Sequence, residues 1–417
     1  MISVQNHRPP LSGNKWLIVL GIALFIAACS PKVRRPAKVP PKTETETPVT
    51  RPEPPKPKPA VARQSSIALL LPFGLDHLNP GASYTDVSLK QANISLDFYQ
   101  GFKLALDSLT SYGYNYKLRV FDTRASANQS RKMAFNPNIW GSDLIVGPIF
   151  PDDMKAFATA LNSPRKPIVS PLSPAAPANI NNQNLVTILP PLAEHAATAA
   201  NYIQRHLQAT KVFVLKSGYT EENDYLSPFK TTLDSVSKGH TKVVQTVVVK
   251  GQLSAIIPQL SATTPNIFVV PSTRQPFITV VLRSLDSLAK HYPIVLFGHP
   301  NWEKFSFLHS DILQRLRTHI TTADYIDYKA PATVAFMKLY RKTFHAEASE
   351  YAIKGFDEGM YFGKLLGENN GDARNMTEID YPGIHNNFHL VKKPKIGYVN
   401  THVNIMDYRY YELRKVE

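Results

Sequence analysis

From Ser65 onward, short apolar runs alternate regularly with amphipathic stretches, and this rhythm constrains the fold more than any single motif. Ile67–Phe73 reads IALLLPF, a continuous apolar run of strand length, as a strand covered on both faces requires. Asp97–Leu109 then sets Phe98, Phe102, Ala105, Leu106 and Leu109 on one helical face. Tyr116–Phe121 and Leu144–Val146 read as strands with a helix between them. Asp152–Leu161 reads as a helix whose paired Asp152 and Asp153 suit a positive N-terminus. Ile168-Val169 and Val186–Leu189 read as further strands. This βαβαβ succession implies a parallel sheet with helices on both faces.

A second series begins after Pro190-Pro191. Helices are predicted at Ala193–Leu207, Tyr225–Val236, Leu253–Leu260 and Phe277–Leu288. Strands are predicted at Lys211–Leu215, Val243–Val249, Ile267–Val270, Ile294–Phe297 and Ile320–Ala323. Helical patterns over Ala332–Phe344 and Tyr351–Leu366 follow, and the tyrosine-rich Lys395–Val416 alternates as strands do. The expectation is an α/β protein with two doubly wound parallel-sheet lobes. The first takes residues 65–191 and 325–394, the second 192–324 and 395–417.

The first 64 residues are a different kind of chain. Arg8 and Lys15 precede Trp16–Ile26, an uncharged apolar run of eleven residues. A membrane-spanning helix needs ~20 residues, so the run suits a signal-peptide core instead. It ends in Ile26-Ala27-Ala28-Cys29-Ser30, which resembles the lipobox of bacterial lipoproteins. That resemblance implies cleavage after residue 28, lipidation of Cys29, and anchoring by several acyl chains. Ser30 is not the acidic residue that retains such proteins at the inner membrane, so an outer-membrane destination facing the periplasm is implied. Residues 29–64 follow as a Pro/Lys-rich tether whose composition cannot bury enough surface to offset ordering entropy.

Charge follows the same division. Of the formal +15, the signal carries +2 and the tether +6, leaving +7 on residues 65–417. The basic excess is thus largely a property of the tether, and nucleic acid is not an expected partner. The single Cys excludes a disulfide framework and a multi-thiolate zinc site.

The lipobox, the IALLLPF strand, the DFYQGFKLALDSL helix, the Gly147-Pro148 turn and Pro167–Pro171 together resemble the type I periplasmic solute-binding proteins, most nearly the leucine/isoleucine/valine-binding group. The resemblance implies a hinge of three crossovers, near Leu189–Ala193, Ala323–Ala330 and Lys392–Ile396. It further implies a cleft that closes on a small ligand. By it, Gly147, Ser170 and Ser173 of the first lobe and Tyr219, Tyr225 and Trp302 of the second are the candidate ligand-binding residues. Pro151 stands where the family has a hydroxyl. Gly298-His299-Pro300-Asn301-Trp302 lacks the acid that grips an ammonium.

No Walker A, G-x-S-x-G, G-x-G-x-x-G or H-E-x-x-H pattern occurs, so no catalytic residue, cofactor or metal site is expected. His385 and His389 are four apart but sit in an Asn/Gly/Pro-rich stretch. Glu221, Glu222 and Asp224 read as a solvated helix start. Gly355, Gly359, Gly363 and Gly367 recur every four residues, a ridge expected to let a helix lie close against the first-lobe sheet. Gly74–Ser95 reads as a long connection, either a lid or a partner contact. The functional expectation is a lipid-anchored, non-enzymatic protein capturing a small polar ligand for transport or sensing, with a permease as partner. The alternative is an outer-membrane lipoprotein that regulates an envelope enzyme, such as a peptidoglycan synthase, by protein contact.

Overall fold

Alternate side chains of one buried strand feed two cores. In β1 (Gln64–Leu71), Ile67, Leu69 and Leu71 pack with Phe98, Phe102 and Phe362, whereas Ala68 and Leu70 pack with Ile139 and Phe157. Successive strand residues point to opposite faces, so this sheet is covered on both. The computed structural model describes residues 63–79, 81–161, 166–173 and 177–417. Cys29, the signal segment and the tether as far as residue 62 lie outside the described residues; Gln64, assigned to the tether, already opens β1.

After β1 come α1 (Asp86–Ser111), β2 (Asn115–Asp122), α2 (Ala127–Met133), α3 (Pro137–Trp140), β3 (Leu144–Val146), α4 (Pro151–Ala160), β4 (Ile168–Ser170) and β5 (Leu185–Thr187). The second series is α5 (Leu192–Leu207), β6 (Lys211–Lys216), α6 (Asn223–Ser237), β7 (Lys242–Val247), β8 (Asn266–Val270), α7 (Gln275–Leu288), β9 (Ile294–Gly298), α8 (Ser310–Arg315) and β10 (His319–Thr322). The chain then forms α9 (Pro331–Phe344), α10 (Glu350–Glu368), β11 (Tyr381–Pro382), β12 (Asn387–Phe388), β13 (Leu390–Lys393), β14 (Gly397–Asn400), β15 (Asn404–Arg409) and β16 (Glu412–Lys415).

Two seven-stranded sheets result, ordered β13-β14-β5-β4-β3-β1-β2 and β16-β15-β10-β9-β8-β6-β7. The pairings from β5 to β2 and from β10 to β7 are parallel, as expected. Antiparallel strands close one edge of each sheet: β13 on β14 in the first, β15 and β16 in the second. In the second sheet Val212 and Val214 face Ala199, Ile203 and Phe229, while Phe213 and Leu215 face Ile278, Val281 and Leu285. The result is the two-sheet α/β architecture that the sequence pattern implies.

The chain passes between the sheets three times: after β5, after β10, and between β14 and β15. The third passage is therefore at Thr401–Val403 and not at Lys392–Ile396. That basic stretch is the turn of the β13–β14 hairpin, in which Lys393 pairs with Gly397 and Lys395 has φ +70°. Residues 397–400 accordingly belong to the first lobe's sheet, since Tyr398 and Val399 pair with Val186 and Thr187.

Three further expectations are corrected. Gly74–Ser95 is not a long connection, because α1 begins at Asp86. Thr85 Oγ1 accepts from Ser88 N–H at 3.2 Å while Ser88 Oγ accepts from Thr85 N–H at 2.8 Å, a reciprocal cap that starts the helix three turns early. The remaining loop is pinned, with Gly74 N–H and Leu75 N–H donating to the Asp122 carboxylate at 3.0 and 2.7 Å. Leu253–Leu260 holds only a 3-10 turn at Ile257–Gln259; Pro258 supplies no N–H, and buried Leu253 and Ile256 anchor the loop. The glycine ridge faces a helix, α1, and not the sheet. A Cβ on Gly355 would stand 2.2 Å from Phe98 O, and one on Gly101 of α1 would stand 1.9 Å from Ala352 O.

Candidate functional site

In open α/β sheets ligands gather at the carboxyl ends of strands, and here those edges of both sheets border the passages between lobes. On the first lobe, Gly147 follows β3 with φ +91°, and a Cβ there would meet Leu70 O at 2.1 Å, so only Gly fits. Pro151 is the first residue of α4, where its missing N–H costs nothing because that group has no intrahelical partner. Ser170 ends β4 and Ser173 lies in the loop beyond; both are buried. Asp153, in the first turn of α4, is also buried, and burial, with Asp152 adding repulsion, lifts its carboxyl to about 6.

The second-lobe rim is organised by its own acidic residues. Glu222, expected to be solvated, is 3% exposed and turns back onto the end of β6. Its carboxylate accepts from Ser217 N–H at 3.0 Å, Ser217 O–H at 2.6 Å and Gly218 N–H at 3.3 Å. The donors an incoming anion would use at this strand end are therefore already occupied. Next to them, the Arg274 guanidinium lies 3.7 Å over the Tyr219 ring and pairs with Glu221. Around these groups is a recess of about 220 Å³, lined by Ser217, Tyr219, Glu221, Ser272, Arg274 and Asn301 among others.

Tyr225 and Trp302, expected to face a ligand, are inside the second lobe's core at 1% exposure each. Trp302 donates its indole N–H to Ser272 O at 2.9 Å, and a Cβ on Gly298 would lie 2.3 Å from its ring. Tyr225 stacks on Phe229 at 6.1 Å, and burial raises its hydroxyl pKa. Both are too large and apolar to leave the core without losing ~3–5 kcal/mol of packing, so they support the recess from behind. Tyr219 is the exposed member of the set, at 50%.

Near the passages between the lobes lie His195, Lys354 and Asp357, which the sequence did not single out, together with His299 and His385. His195, at the start of α5, is hydrogen-bonded to Thr321 Oγ1 at 3.0 Å; burial drives its pKa to about 4, only partly opposed by Asp324. His299 is driven to about 4 by burial and by His195; its Nδ1 accepts from Asn301 N–H at 3.1 Å, which places the ring proton on Nε2. Lys354, 5% exposed on α10, reaches Asp324 at 2.9 Å and Glu350 at 3.2 Å. Asp357 accepts from Ile384 N–H and His385 N–H at 2.9 Å each and pairs with His385 Nδ1 at 2.6 Å.

His385 and His389 do not form one site: the first is buried against Asp357, and the second pairs with Asp380 at 2.6 Å near the surface. Among the described residues no group of three or more His, Cys, Asp or Glu is placed to hold a metal ion. Likewise, no helix among them is long and apolar enough to cross a membrane.

No curated protein matches the chain. Among solved structures, the fold is similar to a putative branched-chain amino acid ABC transporter protein from Rhodospirillum rubrum (13% identity, TM-score 0.57, covering 85% of this chain and 100% of that one). It is similar to a substrate-binding protein from Desulfitobacterium hafniense in complex with Leu (14% identity, TM-score 0.52, 85% and 100% covered). It is also similar to the C-domain of LpoA from Haemophilus influenzae, described as a regulator of PBP1A (12% identity, TM-score 0.54, 85% and 100% covered). At these identities the likeness is one of fold. Residues 83–377, most of the chain, match the model of the periplasmic binding proteins, and the chain belongs to that family.

Proposed function

We propose that this is a lipid-anchored periplasmic binding protein, tethered through Cys29 at the outer membrane, that captures a small polar solute between its lobes for transport or sensing. The observation that carries this reading is the polar recess at the carboxyl ends of β6, β8 and β9, where Arg274, Ser272, Asn301 and Glu221 converge. Gly147, Ser170 and Ser173 would complete the site from the first lobe, with Tyr219 as its exposed aromatic. Solute bound by both lobes shifts the population toward a closed form. Because Glu222 already holds the strand-end amides, a free α-carboxylate gains little from the second lobe. That favours a solute rich in hydroxyl or cationic groups over leucine.

The test is a thermal-shift and calorimetric screen of the full chain against leucine, basic amino acids, polyamines and polyols. A solute at a hundredfold excess over its Kd stabilises by about 2.7 kcal/mol. Arg274→Ala should abolish that shift. Silence from every solute would sink the reading.

A second reading rests on the same rim. Strand-end donors held by Glu222, and one face of the exposed Tyr219 ring taken by Arg274, suit a scaffold that works through its surface. The fold shared with the LpoA C-domain fits an outer-membrane regulator of an envelope enzyme. An outer-membrane tether also stands away from any permease in the other membrane. Cross-linking to a peptidoglycan synthase in membranes, without any solute effect, would establish this alternative. For either reading the anchor has its own test: a Cys29→Ala protein should leave the membrane fraction, and its retention there would refute lipidation.

A further inference from the structure

The opposite edge of the second sheet carries a separate recess. Parallel strands fix the geometry: α5 starts beside the first passage and ends at Leu207 at the strands' amino edge, where β10 begins and β15 ends. Between these elements is a cavity of about 370 Å³ lined by Tyr202, Arg317, His319, Asp407, Arg409 and Tyr410 among others. That volume falls in the ~300–1,000 Å³ range of small-molecule sites.

Its chemistry is unbalanced. Asp407 is 4% exposed, and only one of its oxygens is bonded, Oδ2 receiving Arg409 Nε at 2.5 Å. Oδ1 is buried with no donor among the described residues, an unfavourable state for a carboxylate oxygen. The neighbouring His319 does not supply one, since its Nδ1 is engaged with Arg317 O at 2.8 Å. Burial also lowers the His319 pKa. Arg317, in contrast, is exposed and forms no ion pair with any described residue. Tyr202, stacked on His206 at 4.5 Å and tilted 5.4 Å from His319, adds an aromatic wall, and exposed Tyr410 adds another.

We propose that this recess is a second binding site, distinct from the cleft, for a ring compound bearing a carboxylate and an O–H or N–H donor. The carboxylate would pair with Arg317, which presents a planar fork matched to it. The donor would satisfy Asp407 Oδ1, and the ring would lie against the tyrosines. A neutral sugar leaves Arg317 unused, and a simple aromatic acid leaves Asp407 unsatisfied. An acidic amino sugar and an aromatic amino acid both supply the full set.

The test is isothermal titration of the full chain with four probes: N-acetylmuramic acid and phenylalanine, which carry carboxylate and donor, and N-acetylglucosamine and benzoate, which each lack one. Saturable binding of at least one of the first pair, at least tenfold tighter than either of the second, is expected. Arg317→Ala should weaken it at least tenfold; this exposed position keeps the test valid if Asp407→Asn fails to fold. Arg274→Ala, in the cleft, should leave it unchanged. The proposal is overturned if neither full-set probe binds, if binding survives Arg317→Ala, or if it is lost in Arg274→Ala.

Discussion

Glu222 illustrates how one side chain redirects a site. Its carboxylate collects three donors from Ser217 and Gly218, so Glu222→Ala leaves these partly exposed groups without a protein partner. A loss of about 1–2 kcal/mol is expected in chemical denaturation, because a fully buried unsatisfied group costs ~1–3 kcal/mol and water reaches these partly exposed donors. Added acetate should restore some of that stability in the variant and none in the parent. An acetate-insensitive variant would show that these donors are no anion site. Asp153 behaves in the opposite sense. Its native pKa, raised from 3.8 to about 6, means the folded protein binds this proton more tightly than the unfolded chain. Stability from this group is therefore full below pH 3.8 and lost as pH rises toward 6. Asp153→Asn should raise Tm at pH 7 and flatten its slope between pH 4 and 6; an unchanged slope would exclude the assignment.

At the scale of elements, α1 and α10 depend on glycine for contact and not for flexibility. In an exposed helix Gly→Ala gains ~1 kcal/mol. Here a Cβ at 355 would stand 2.2 Å from Phe98 O, and one at 359 would stand 2.7 Å from Ala105 Cβ. Both Gly355→Ala and Gly359→Ala should instead destabilise by ~1–3 kcal/mol, as overpacking does; a gain in either would mean the helices lie farther apart. The ridge was legible in the sequence, because four-residue spacing marks one helix face, yet nothing in that spacing says whether the face meets a sheet or a helix. Buried strands such as β1, β8 and β9 were legible for the same kind of reason: five consecutive buried residues leave no polar alternation to confuse with a loop. The early start of α1 was not. Its cap is Thr85 with Ser88 in place of Glu or Gln, and Val87 and Leu89 point to solvent, so no apolar stripe marks the first three turns. The position of the candidate recess followed from topology, since strand carboxyl ends can be placed once strands are known. Which side chains occupy it did not follow. Tyr225 and Trp302 lie at the right loops, but packing claims their large rings, while Glu222 folds inward on donors that no sequence pattern reveals.

At the scale of the whole molecule, two passages between the lobes are tied together by a neutral histidine. His195 begins α5 just after the first passage, and its bond to Thr321 lies just before the second; His299 sits within electrostatic reach of it. Both rings are held near a pKa of about 4 against 6.5 when unfolded. A depressed folded pKa means the stability is fully present above pH 6.5 and lost as pH falls through 6.5 toward 4. At ~1.4 kcal/mol per unit, each ring contributes roughly 3 kcal/mol when the loss is complete, and less when the pair relaxes together. The loss is directional, because a charged His195 would be expelled from the buried space between β10 and α5, with Asp324 opposing this only in part. Acidification from pH 7.5 to 5 should therefore loosen the lobes before either sheet melts. Hydrogen exchange should show faster exchange at residues 188–196 and 320–326 with β1 and β8 still protected. His195→Gln, which can keep the bond to Thr321 but cannot take a proton, should remove about half of the acid sensitivity. Equal loss of protection in β1 and β8 at the same pH would place the acid-labile element in the cores and not at the passages.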